Sequence, residues 1–140
     1  MKEPHNLVFL LAALRGHDGC IKGRVRFEKL VFLLIRDHNI PFEYRFVPYT
    51  YGPYSDKFVD HIALLISMGF VIEELQPEEN YISELVYRIT ERGEGLIKNA
   101  IKKESINGKI DKIMDAIKAM SKEETQELVD RTIDIMKVEN

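Results

Sequence analysis

The residues best equipped for chemistry are His17, Asp18 and Cys20, in the run His17-Asp18-Gly19-Cys20. An imidazole and a carboxylate beside a thiol could activate a nucleophile by drawing off its proton, or could supply ligands to a soft metal. The spacing matches neither pattern, and Asp18-Gly19 reads equally as a turn followed by a small buried cysteine. Cys20 is the only cysteine, so no internal disulfide and no paired-cysteine zinc site can form. His5, His38 and His61 are scattered, and none stands four residues from another with a carboxylate between. Gly93-x-Gly95 follows a strand-like stretch but lacks the third glycine of a dinucleotide loop. Glu73-Glu74 and Glu123-Glu124 are adjacent carboxylates expected to be solvated. The chain is therefore expected to carry no catalytic residue, no metal and no cofactor, and to be no enzyme.

Two clusters are suited to binding. Pro48-Tyr49-Thr50-Tyr51-Gly52-Pro53-Tyr54 places three phenol rings within six residues. Tyrosine supplies a large contact area with a polar tip at little entropic cost. The expected partner-binding residues are Tyr49, Tyr51, Pro53 and Tyr54, joined by Lys57 and His61 from the following helix. The same rings could instead fold back onto the first two helices, with the prolines only fixing the turn. The second cluster is Lys22, Arg24, Arg26, Lys29 and Arg36, opposed nearby only by Glu28 and Asp37. It reads as a nucleic-acid surface, or as the ordinary solvated charges of a helix start.

The elements that must position these clusters follow from periodicity. A helix over about 5–15 is apolar almost all round through Leu7 to Leu14, which marks it as buried. After the loop 16–19, Lys22 to Arg26 lead into a second helix with the stripe Phe27, Leu30, Val31 and Leu34, stopped at Asn39-Ile40-Pro41. Phe42, Tyr44 and Phe46 alternate with Glu43, Arg45 and Val47 as in a half-buried strand. Gly52-Pro53 should break that strand, because Pro53 has no N–H. Ser55 can then cap a third helix whose stripe is Phe58, Val59, Ile62, Leu65 and Met68, ended by Gly69.

Residues 70–75 and 84–89 read as a β-hairpin with a long tip. Thr90 caps a further helix whose first turn is weakened by Gly93 and Gly95. A short break is expected at Asn107-Gly108. Ile106, Ile110, Ile113, Met114, Ile117 and Met120 then form one stripe, and Ser121 with Glu124 has capping-box spacing before a last helix carrying Leu128, Val129, Ile133 and Met136. These two amphipathic helices must dock on their own domain or on a second copy of the chain.

Lys29-Leu30-Val31-Phe32-Leu33-Leu34, the aromatic strand and Tyr51-Gly52-Pro53-Tyr54-Ser55 together resemble the Panacea domain, the antitoxin family of SocA-like proteins, and the related YwgA-like proteins. Tyr87-Arg88-Ile89-Thr90-Glu91-Arg92-Gly93 resembles the closing strand and following helix of many winged-helix regulators. The first resemblance covers roughly the first two thirds of the chain. It implies a role in neutralising or delivering a partner protein, and it supplies no catalytic residues.

Charge divides the two binding readings. Residues 58–87 contain six carboxylates and no Lys or Arg, across the helix and hairpin that a winged helix would present to DNA. Residues 1–57 carry a net +3, and the whole chain −3. The expected architecture is α+β, mainly α: a winged helix-turn-helix domain over 1–104 with a β-hairpin wing, and a C-terminal helical extension over 105–140 in the same unit. The expected function is a regulatory protein with a protein partner, antitoxin-like or adaptor, with a DNA-binding transcriptional regulator as the alternative. Its apolar runs are too short for a membrane span and no cleavable signal pattern follows Met1, so a cytoplasmic location is expected, with a homodimer through 105–140 as one option.

Overall fold

The structure, a computed structural model, describes residues 3–77 and 83–139. The described chain runs α1 (Glu3–Gly16), β1 (Cys20–Lys22), α2 (Arg24–His38), β2 (Val47–Tyr49), β3 (Gly52–Tyr54), α3 (Asp56–Ser67), β4 (Val71–Pro77), β5 (Ser83–Ile89), α4 (Glu91–Ile101), α5 (Glu104–Met120) and α6 (Thr125–Glu139). It is an α+β fold, mainly helical, with one antiparallel sheet ordered β1-β5-β4 and one antiparallel pair, β2-β3. The tip expected between β4 and β5, with Glu78, Glu79 and Asn80, lies outside the described residues.

Helix α1 is apolar on every side because every side is covered, and Leu10 to Leu14 are all fully buried. Its last residue, Gly16, crosses α5 so closely that a Cβ would stand 2.9 Å from the Met114 carbonyl oxygen. Asp18 and Gly19 then take left-handed φ values of +57° and +80°, which turn the chain into β1. Helix α2 ends as expected, at a left-handed Asn39. Ser55 caps α3 by accepting from the Phe58 amide at 3.2 Å, and Gly69 follows it with φ +80°.

Four expectations require correction. Residues 42–46 alternate buried and exposed as read, yet they form no ladder; the paired strand begins at Val47. Gly52-Pro53 does not break a strand but builds one, with Pro53 opposite Pro48. Two residues without N–H groups fit opposite one another where an antiparallel pair exchanges no hydrogen bonds. Helix α5 passes through Asn107-Gly108 unbroken, and the turn falls at Lys102-Lys103 instead. Gly108 is exposed, so its propensity penalty of about 1 kcal/mol is smaller than the gain from burying Ile106 and Ile110 on either side. Ser121 does not cap α6: its hydroxyl donates to the Lys118 carbonyl at 2.7 Å, while Glu127 accepts from the Glu124 amide at 3.4 Å, three residues later than the sequence suggests.

The C-terminal stripes close their own core. Helix α5 packs on α1, and α6 packs on α2 and β3, which buries Ile110, Ile113, Ile117 and Leu128 completely. Met114 and Ile133 of the same stripes are only partly buried. Phe9, Phe42, Tyr44, Phe58, Phe27 and Tyr87 form a continuous chain of ring contacts, with centroids 5.3–6.0 Å apart, from α1 to the central strand β5.

The two glycines of α4 give a matched test. A Cβ on Gly93 would stand 2.5 Å from the Phe70 carbonyl oxygen and 2.7 Å from Ile89, whereas one on Gly95 would meet nothing within 4 Å. Gly93→Ala is expected to lose about 1–3 kcal/mol despite its better helix propensity, while Gly95→Ala gains up to about 1 kcal/mol. Urea denaturation of the two variants, with m unchanged, checks both signs.

Candidate partner-binding site

The β2-β3 hairpin is held from below by charge buried in α2. Lys29, 2% exposed, donates from Nζ to Glu28 Oε1 at 2.9 Å and to the Pro53 carbonyl at 2.8 Å. Glu28 Oε2 accepts from the Ser55 amide at 3.2 Å. One ion pair thus fixes the second hairpin strand and the start of α3 together. Gly52, with φ +99°, brings the hairpin against α6: a Cβ there would lie 3.1 Å from Thr132 Oγ1 and 3.4 Å from Lys29 Cε. The base of the hairpin is thus packed against α6 and hydrogen-bonded to α2.

Its tip is open. Tyr49 is 68% and Tyr51 62% exposed, and Val47 beside them is also exposed. The Tyr49 and Tyr54 rings meet at 5.2 Å. One side of the hairpin borders a cleft of about 240 Å³ lined by Arg24, Val25, Tyr49, Tyr51, Tyr54 and Val59 above the Glu28–Lys29 pair. The other side borders a cleft of about 200 Å³ lined by Pro48, Tyr49, Ile133, Met136 and Lys137. Each cleft is apolar with one accessible cation among its lining residues, Arg24 and Lys137 respectively. A hydrogen bond to the Asp56 carboxylate, with some burial, holds the Tyr54 phenol above its usual pKa, so it stays a donor.

The structure brings Tyr49, Tyr51 and Tyr54 into one site and separates the other candidates. Pro53 is buried and acts through its carbonyl. His61 is 3% exposed on the inner side of α3, with Nδ1 2.7 Å from the Tyr44 hydroxyl, so it is not a surface contact as expected. Lys57 stays exposed on the first turn of α3.

The expected basic face is broken up in the same way. Lys29 is the buried anchor just described. Arg26, also buried, donates to His17 Nε2 at 3.1 Å, Thr125 Oγ1 at 3.1 Å and the Ser121 carbonyl at 3.0 Å, tying the α1–β1 turn to the α5–α6 turn. Arg36 forms two bonds to Glu139, at 2.6 and 3.2 Å, and lies over the Phe32 ring. Only Lys22 and Arg24 of the five remain exposed and outside the described ion pairs. The run of buried side chains from Arg26 to Leu34 explains this, because a helix covered on all sides takes its charges inside with it. The unbroken apolar run 30–35 was the sequence signal for that cover.

His17, Asp18, Cys20, Lys22, Arg26 and Glu84 border an open depression, and His17 is already engaged as the acceptor for Arg26. Among the described residues, no three or more His, Cys, Asp or Glu side chains are placed to hold a metal ion. Burial, and then the Arg26 charge, push the His17 pKa below its ordinary 6.5. A folded-state pKa below the unfolded one gives stability that is full above about pH 6.5 and is lost as pH falls through the folded value. Wild type should therefore lose melting temperature below pH 6.5 relative to His17→Gln, which keeps an acceptor for Arg26 but does not titrate. Thermal melts from pH 7.5 to 4.5 measure the difference.

Among known proteins, no family model and no curated sequence matches this chain. Among the described residues no helix is long and apolar enough to cross a membrane.

Proposed function

We propose that this chain is a non-enzymatic regulatory protein of winged-helix type that binds another protein through the β2-β3 hairpin, in an antitoxin-like or adaptor role. The observation that carries the proposal is the pairing of opposites in the hairpin: exposed Tyr49 and Tyr51 on a strand pair anchored by a buried Lys29–Glu28 bridge. Exposed rings on a mobile loop would lose entropy when bound; on an anchored hairpin that loss is already incurred in folding. Aromatic side chains set between two clefts are also the residue types that dominate protein interfaces. The order of α1, β1, α2 and α3 before a strand pair supports the winged-helix reading, as does the addition of β1 to the β5 side of that pair.

DNA binding is disfavoured by the burial of Arg26 and Lys29 and by the pairing of exposed Arg36 with Glu139. Titration of a fluorescent random duplex at low salt tests this directly. No binding tighter than about 100 µM Kd is expected, the weak end of non-specific binding being roughly 10⁻⁴ M. Tight, steeply salt-dependent binding that disappears in Lys22→Glu/Arg24→Glu would overturn the protein-binding reading in favour of a nucleic-acid regulator.

A further inference from the structure

Strand β4 is an outer strand of its sheet, since β1 and β4 flank β5. The direction of its backbone groups follows from two flanking bonds. The Thr90 amide donates to the Phe70 carbonyl at 3.1 Å, and the Ile89 amide to the Gly19 carbonyl at 2.9 Å. Residues 84, 86 and 88 of β5 therefore face β4, and 85, 87 and 89 face β1. With Glu73 opposite Tyr87 and Leu75 opposite Leu85, the N–H and C=O groups of Glu73 and Leu75 point away from the sheet. No hydrogen bond among the described residues reaches them.

The side chains along this edge have a definite character. Leu75 is 65% and Ile72 47% exposed, on opposite faces, and Leu64 and Met68 are exposed at the end of neighbouring α3. Glu73 and Glu74 are exposed between them, with Asp60 on α3. The nearby Arg88 sits 3.8 Å from Glu74 and leaves the edge acidic.

We infer that the β4 edge receives an extended segment of another protein as an added strand, and that this segment carries two adjacent basic residues flanked by apolar ones, because Glu73 and Leu75 share one face and Ile72 and Glu74 the other. Its main chain bonds to Glu73 and Leu75, its cations meet Glu73 and Glu74, and its apolar side chains cover Ile72 and Leu75. A second copy of β4 is disfavoured as the occupant, because antiparallel pairing centred on Glu73 or Glu74 would set like charges opposite one another. Pro77, which has no N–H, ends the available ladder. The site is separate from the β2-β3 hairpin, so either can fail alone.

Hydrogen exchange of the full chain, read at the Glu73 and Leu75 amides, tests the inference with synthetic probes. An octapeptide repeating Val-Lys-Lys-Val at millimolar concentration is expected to slow both amides at least tenfold, and its counterpart with glutamate in place of lysine to slow neither. Methylating alternate amide nitrogens of the lysine-valine peptide, which leaves the protein untouched, should abolish the effect. Glu73→Lys/Glu74→Lys should exchange the preference between the two peptides. Unchanged exchange at both amides overturns the proposal, as does equal protection by the methylated peptide.

Discussion

Lys29→Met is expected to destabilise the fold by about 3–5 kcal/mol, the range for breaking a buried ion pair by removing one partner. Against a total of about 5–15 kcal/mol for a domain, that loss leaves the chain close to unfolding at ordinary temperature. The cause is the carboxylate left behind. Glu28 is 6% exposed, and without Lys29 it keeps only the Ser55 amide as a described partner, while the Pro53 carbonyl loses its donor. Adding Glu28→Gln removes the stranded charge and retains an acceptor for Ser55, so the double variant should recover at least about half of the loss. Urea denaturation of the two singles and the double gives the coupling energy. A Lys29→Met loss below about 1 kcal/mol would mean that the bridge does not hold the hairpin as described.

Tyr49→Ala/Tyr51→Ala should act in the opposite sense, abolishing partner binding while sparing the fold. Both rings are exposed, and substitutions at such positions usually change stability by no more than about 0.5 kcal/mol. Tyr49 adds its contact with Tyr54 at 5.2 Å, a ring pair of about 0.5–1.5 kcal/mol. In a complex, a buried tyrosine anchor is worth about 2 kcal/mol or more, so the double variant should weaken affinity by more than about a hundredfold. Isothermal titration with the purified partner reads the affinity, and a urea melt of the same variant confirms that its fold is intact. Lys57→Ala, at an exposed position on the first turn of α3, should change affinity by less than about tenfold.

The elements were legible wherever local chemistry decided them. Ser55, Thr90, Asn39 and Gly69 each act at the helix end where the sequence places them, because capping depends on a few adjacent atoms. The sequence misled where a distant element intervened. Lys29 reads as a solvated cation until the hairpin, 24 residues later, folds over it, and His61 reads as surface until Tyr44 meets it. Strand β1 has only three residues and no periodicity of its own; it exists because β5 pairs with it. Gly93 looked like a weakness in a helix and is a point of close approach to Phe70. The aromatic turn was visible as a binding candidate from composition alone, but its anchoring was not, since that depends on where Lys29 and Glu28 finish in three dimensions.

Photo-crosslinking in the native host tests the central claim most directly, with benzoylphenylalanine placed at Tyr51 and, as a control on another exposed surface, at Lys112. A discrete protein adduct is expected from position 51, absent from position 112 and competed away by unlabelled wild type. Identical adducts from both positions, or an adduct of position 51 that is sensitive to nuclease, would contradict it.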